Sequence, residues 1–156
     1  MKLFTSYYAN YKNIPSNYLC IGISRVCPEW FANANLPNFI FIKSNFMAPS
    51  FDLLNDSLED KEAYKRRYVT ELYSNLSKLG YNDLKTWVND LFKCEAELGF
   101  DGIVFMCYEA PDKFCHRHIV RKILNNVYNI DCKEFGIEEN TGIEIKNSKN
   151  NSKNLF

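Results

Sequence analysis

The chain has 156 residues, with 19 basic and 19 acidic side chains, two His and six Cys. That length fits one domain whose core needs neither a metal nor a disulfide to hold it together. A formal charge of zero removes the surplus of Lys and Arg that sequence-independent nucleic-acid binding requires. No stretch approaches the length of a membrane span and no leader-like apolar run opens the chain, so a cytoplasmic protein with reduced thiols is expected. The cysteines at 20, 27, 94, 107, 115 and 132 form no recognisable disulfide framework, and buried free thiols are the default.

Residues 2–8 and 18–24 read as the first two strands, separated by a turn-like stretch at 13–17. Residues 38–43 read as a third strand or as a loop that packs aromatics, and 48–55 as an irregular connection. Asp56-Ser57 offers an N-cap, with Glu59 and Asp60 in the first turn. Tyr64, Tyr68, Leu72 and Leu76 then recur at helical spacing, up to about Gly80. Asn82 or Asp83 caps a second helix with Leu84, Trp87, Val88, Leu91 and Leu98 inward, closed by Gly99. The apolar run 102–107 suits a strand buried on both faces of a parallel sheet. Asp112 can cap a third helix, with Ile119, Val120, Ile123, Leu124 and Val127 on one face, and 131–135 is a plausible last strand. The order strand, helix, strand implies a right-handed parallel crossover. From Glu138 the sequence turns polar, so residues 1–137 are expected to form the domain and 138–156 a disordered tail. The expected architecture is a single three-layer α/β domain with a mainly parallel, Rossmann-like sheet.

The chemistry-bearing residues concentrate in Cys107-Tyr108-Glu109 and Cys115-His116-Arg117, on either side of one strand-to-helix connection. Ligands of open parallel sheets bind at the carboxyl ends of strands, where loops and helix starts converge. A thiol at a helix start beside His and Arg is where a thiolate is expected, which makes Cys115 the better nucleophile and Cys107 the more buried thiol. His116 and Glu109 could each act as general acid or base. Arg117 could grip a carboxylate or phosphate with two hydrogen bonds. The bland alternative has Cys107 ending a strand, Cys115 packing and Arg117 pairing with Glu109 to pin the loop. Zinc is a further reading, with Cys107, Cys115 and His116 as ligands and Cys20, Cys27, Cys132 or His118 as a fourth. The chain has no CxxC pair, and adjacent Cys and His sit awkwardly on one tetrahedral centre, so no metal and no cofactor are expected. The spacing from Cys115 to Arg121 matches a phosphatase pattern in number only, because this stretch reads as helix rather than as a Gly-rich cradle.

Strand, Cys-Tyr-Glu, short loop and Phe-Cys-His-Arg together resemble the family named domain of unknown function 488. Thr5-Ser6-Tyr7-Tyr8 looks like its opening strand motif, and Ile23-Ser24-Arg25 followed by Pro28 looks like its second. Tyr64 and Tyr68 fit its helical segment. The resemblance spans about residues 1–136. More familiar members carry Asp-Val-Arg where this chain has Ile23-Ser24-Arg25, so an acidic group is absent here. What the resemblance implies is a fold and a site rather than a reaction.

Ser6, Tyr8, Ser24, Arg25, Cys107, Tyr108, Glu109 and Glu134 all fall at expected strand ends, and a parallel sheet brings those ends to one edge. One polar cleft is therefore expected there. In it Arg25 and Arg117 hold an anionic group, tyrosines including Tyr8 and Tyr108 stack on a ring, Ser6 and Ser24 contribute to ligand binding, and Cys115 acts with Glu109 or His116. The expected activity is that of a small enzyme on an anionic small molecule such as a nucleotide or nucleobase derivative. Two rivals use the same residues differently. One is a non-catalytic protein that sequesters or senses such a ligand. The other is a mobile-element interaction module that blocks a host factor through exposed aromatics around Trp30, Phe31 and Phe39.

Overall fold

In a computed structural model of the chain, residues 2–34, 36, 38–56 and 60–137 are described. The elements run β1 (Leu3–Tyr7), a 3-10 turn (Tyr8–Asn13), β2 (Tyr18–Gly22), α1 (Glu29–Ala32), β3 (Phe41–Lys43), α2 (Phe51–Asn55), α3 (Lys61–Lys78), α4 (Leu84–Leu98), β4 (Gly102–Cys107), α5 (His116–Lys122) and β5 (Cys132–Glu134). The five strands form one sheet in the order β3-β2-β4-β1-β5. All four pairings are parallel, so the domain is α/β, as its apolar central strand predicts. β4 lies in the middle and is buried along its whole length. The expected tail at 138–156 lies outside the described residues. Among the described residues no helix is long and apolar enough to cross a membrane.

Strand parity decides what each face carries. Leu3, Ile21, Ile103, Phe105 and Cys107 point to the face covered by α3, α4 and α5, where they meet Tyr68, Leu72, Val88, Ile119 and Val120. Tyr8, Tyr18, Cys20, Val104 and Met106 point the other way, into a thinner aromatic layer with Phe31, Phe39 and Phe41. The register pairs Tyr7 with Cys107 and Ser6 with Met106. Ser6 therefore shares a sheet face with Met106, opposite the face that carries Cys107.

The helices differ from their expected outlines for local reasons. The cap expected at Asp56-Ser57 falls partly outside the described residues. α3 instead starts after Asp60, whose carboxylate accepts from the Glu62 amide, while 51–55, expected to be irregular, form a short helix capped by Ser50. Asp83 caps α4 by accepting from the Thr86 amide, and Gly99 ends it at φ 77°. Leu98, expected inward, is exposed at the end of α4, while Phe92 and Glu95 take the inner face. α5 is capped at Cys115 rather than Asp112, and its last turn (Ile123–Val127) widens into a π-helix. A π turn adds a residue to the repeat, which swings Val127 out of the apolar face that Ile123 and Leu124 still occupy.

Candidate active site

Two backbone features bring the thiols together. Cys107 is the last residue of the central strand, on the face that α5 covers, and Cys115 is the residue from which α5 departs. The connection 108–114 carries the chain out and back, leaving the two Sγ atoms 2.9 Å apart and both thiols buried. His116 comes in beside them. Its Nε2 lies 2.8 Å from the carbonyl oxygen of Ile23, just beyond β2. A carbonyl only accepts, so Nε2 carries the proton and donates, and Nδ1 is the nitrogen left toward the sulfurs, 3.6 Å from Cys107 and 3.9 Å from Cys115. Tyr68 packs against the imidazole at 5.2 Å between centroids, which fixes the ring plane.

At this separation the ionisation of either thiol is felt by the other, and their environments separate them. The Cys115 thiol is held well below its ordinary value, first by the bond to Cys107 and further by the positive charge of Arg117, against the burial that raises it. Cys107 is pushed well above its ordinary value by burial and by the neighbouring Cys115. Of the pair, Cys115 is therefore the thiol that gives up its proton more readily and Cys107 the one that keeps it. Burial raises Cys20 and Cys132 to about 12 and leaves them inert thiols.

The ligand atoms of Cys107, Cys115 and His116 all lie within 4.8 Å of one another, so the adjacency of Cys115 and His116 does not keep them from one centre. These are the residues that could hold a metal ion. Zinc bonds of about 2.3 Å to each sulfur would set tetrahedral sulfurs about 3.7 Å apart, wider than the 2.9 Å found. The Cys107 sulfur is also about equally far from both ring nitrogens, 3.6 and 3.7 Å, which places it off the lone-pair axis of Nδ1. The cluster as arranged is tighter than a tetrahedral zinc seat, and the two sulfurs would have to part by about 0.8 Å to share an ion.

Arg117 has no exposed surface. Its Nε donates to Glu134 Oε1 at 3.1 Å, its Nη2 lies 3.1 Å from the same oxygen, and its Nη1 donates to the Glu109 carbonyl at 2.6 Å. Glu134 Oε2 in turn accepts from the Thr5 hydroxyl. This buried network ties β5, β1, the loop after β4 and α5 together under the thiols. The partner of Arg117 is thus Glu134 with the backbone of Glu109, whereas the Glu109 carboxylate stays at the surface.

The other expected site residues divide by position. Cys107, Tyr108, Glu109, Cys115 and His116 line one pocket of about 340 Å³, together with Leu54, Lys61, Tyr64 and Phe114. Ser6, Tyr8 and Ser24 reach the same sheet edge but turn to its aromatic face. There the Tyr8 hydroxyl bonds to Ser24 at 2.8 Å, and Ser6 accepts from the Asn10 amide. Arg25 donates to the carbonyls of Ala48 and Pro49 and borders a separate groove with Ser50, Glu71 and Asn75. The expected single cleft is therefore two buried clusters and a groove, because successive strand residues face opposite sides. Thr5, Lys61, Tyr64 and Phe114 belong to the site surroundings without having been singled out for it; Thr5 could have been found from its parity with Cys107, Lys61 only from how α3 packs. A second hollow of about 420 Å³ shares Lys61 and Phe114 with the first and is bordered by His118, Arg121, Lys122, Glu134 and the ion pair of Lys65 with Glu62. Of the aromatics expected to be exposed, Trp30 is, but Phe31 is buried among Tyr8, Phe39 and Phe41.

An α/β domain with an all-parallel sheet and a buried cysteine–cysteine–histidine cluster at the carboxyl end of its central strand is the class of protein these features define. The chain belongs to the DUF488-N3a family, described as the active DUF488-N3 subclade, whose model matches residues 6–127. The match runs from the end of β1 through the whole of the thiol site. No curated protein and no solved structure matches the chain.

Proposed function

We propose that this protein is a small enzyme in which the Cys115 thiolate attacks an anionic small molecule, of the nucleotide or nucleobase class, bound at the carboxyl edge of the sheet. The observation that carries the reading is the close pair of Cys107 and Cys115, 2.9 Å apart on the wall of an open pocket. Thiolate, not thiol, is the nucleophile, and the pair keeps the charge on the sulfur that begins α5. The pocket supplies the other parts such a reaction needs. Tyr64, Tyr108 and Phe114 offer ring faces to a planar group, Lys61 offers a cation, and the Glu109 carboxylate is placed to exchange a proton with bound substrate. Lys61 and Lys122, on the rim of the adjoining hollow, suit a phosphate tail extending past Phe114. Arg117, neutralised by Glu134, supports the loop and the thiolate from below instead of gripping the anion, and Arg25 holds the loop before α2. Membership of a subclade described as active agrees with catalysis.

The rival with a specific observation behind it is a binding protein that uses the same aromatic and basic walls without turnover. A panel of nucleotides, nucleosides and bases, screened by thermal shift and followed by product analysis, separates the two. Product formed by the wild type and lost in Cys115→Ser supports the enzyme. Stabilisation by a ligand that both proteins leave unchanged supports the binder.

A further inference from the structure

We propose that Cys107 is the resolving partner of Cys115, so that the pair reduces a hydroperoxide and closes into an intramolecular disulfide. The inference rests on the reading of Cys115 as the reactive sulfur, and it adds a second reaction to that site. Three observations converge on it. The two sulfurs are 2.9 Å apart, and a disulfide bond of about 2.05 Å needs them to approach by less than an ångström. They belong to the end of a strand and the start of a helix, joined by a seven-residue connection whose Tyr108, Glu109, Asp112, Lys113 and Phe114 are exposed, so side-chain rotation and loop adjustment can supply that approach. Both sulfurs line the same pocket, through which a small oxidant reaches them although little of either is exposed.

The chemistry balances without a cofactor. The Cys115 thiolate attacks the terminal oxygen of the hydroperoxide; an S–O bond forms, the O–O bond breaks, and the departing alkoxide (hydroxide for hydrogen peroxide itself) takes a proton from solvent. Cys115 is now a sulfenic acid. Cys107 then attacks the Cys115 sulfur; the S–S bond forms, the S–O bond breaks, and the hydroxide that leaves carries off the Cys107 proton as water. Two thiols and one hydroperoxide give one disulfide, one alcohol (or water) and one water. The dithiol loses two electrons and the peroxide gains them. A thiol reductant reopens the pair. Burial and the raised value of Cys107 keep it from reacting first, which fixes the order of the two steps. The remaining described thiols, Cys20, Cys27, Cys94 and Cys132, take no part.

The test uses the full reduced chain, one equivalent of hydrogen peroxide, alkylation of the remaining thiols and peptide mapping. The expected result is a Cys107–Cys115 linked peptide, with two thiols lost per chain, and full recovery with dithiothreitol. In Cys107→Ser the expected result is a dimedone adduct on Cys115, formed at least tenfold faster than any change at Cys94. A dimedone adduct on Cys115 in that variant, without a linked peptide in the wild type, overturns the resolving role and leaves the nucleophile standing. If Cys115 reacts no faster than Cys94 with either peroxide or iodoacetamide, the nucleophile reading itself fails. One tightly bound zinc per chain in the reduced protein would also overturn the proposal, because both sulfurs would then be metal ligands.

Discussion

Glu134, on the edge strand β5, receives the Nε of Arg117 on α5 at 3.1 Å, and both side chains are buried. Both groups are charged, so the pair is worth more for what its loss leaves behind than for its net attraction. Removing one partner strands the other charge in a low-dielectric interior. Glu134→Gln is expected to cost about 3 kcal/mol in a urea melt. Thr5→Val, which removes the hydroxyl that Glu134 Oε2 accepts, is expected to cost about 1.5 kcal/mol. The two changes should not add, because they act on one network. A Glu134→Gln protein as stable as wild type would show that Arg117 is satisfied without its partner.

The reactivity of the thiols should follow charge rather than exposure. Cys94 is exposed, whereas Cys115 is buried with its thiol held well below the ordinary value by the bond to Cys107. With limiting iodoacetamide at pH 6, peptide mapping should find Cys115 labelled first. Its rate should change little between pH 6 and 8, whereas a free thiol such as glutathione speeds up with its growing thiolate fraction. Parallel pH curves for Cys115 and glutathione would remove the electrostatic account of Cys115.

The same lowered value makes stability depend on pH with a definite sign. Near neutrality the unfolded chain carries a proton on Cys115 that the native state does not, so raising the pH favours folding. The contribution is complete above the ordinary thiol value of about 8.5 and is lost as pH falls toward the native one. The stability difference between wild type and Cys115→Ser should therefore grow from pH 6 to pH 8, by up to about 1.4 kcal/mol per pH unit. Cys107, raised in the native state, opposes this only at alkaline pH, where its unfolded form begins to ionise. A difference that stays flat over that interval contradicts the ionised Cys115.

Anion binding should be readable without knowing the substrate. Inorganic phosphate at tens of millimolar is expected to raise the melting temperature, because a ligand that binds only the native state stabilises it by mass action. Lys61→Ala should lose at least half of that shift, since Lys61 borders both hollows at the site. Arg25→Ala should keep the shift, because Arg25 faces another groove. The reverse ranking would move the anion to the Arg25 side.

Gly22 ends β2 with no room for a side chain. A Cβ there would sit 2.5 Å from Phe41 Cζ and 2.8 Å from the Tyr8 hydroxyl, which bonds to Ser24. Gly22→Ala is expected to cost about 2 kcal/mol by displacing both rings, measured by chemical denaturation. A neutral substitution would mean that the aromatic layer gives way freely.

Much of this protein is written locally in its sequence. The apolar run 102–107 reads as a strand covered on both faces, and it is the central one. Tyr68, Leu72 and Leu76 are buried at the spacing that makes them visible, and Asp83 and Gly99 delimit α4 by their own backbone chemistry. The family motif and the thiol segment were legible for the same reason: Cys107, Glu109, Cys115 and His116 lie within ten residues on one strand-to-helix connection. What tertiary structure alone decided is which distant groups meet them. The Ile23 carbonyl that fixes His116 comes from the residue after β2, the Glu134 that holds Arg117 from β5, and Lys61 from α3. Ser6, Tyr8 and Ser24 stand at the right edge yet face the wrong layer, because a strand turns successive side chains to opposite sides and one residue of register separates a site from its reverse.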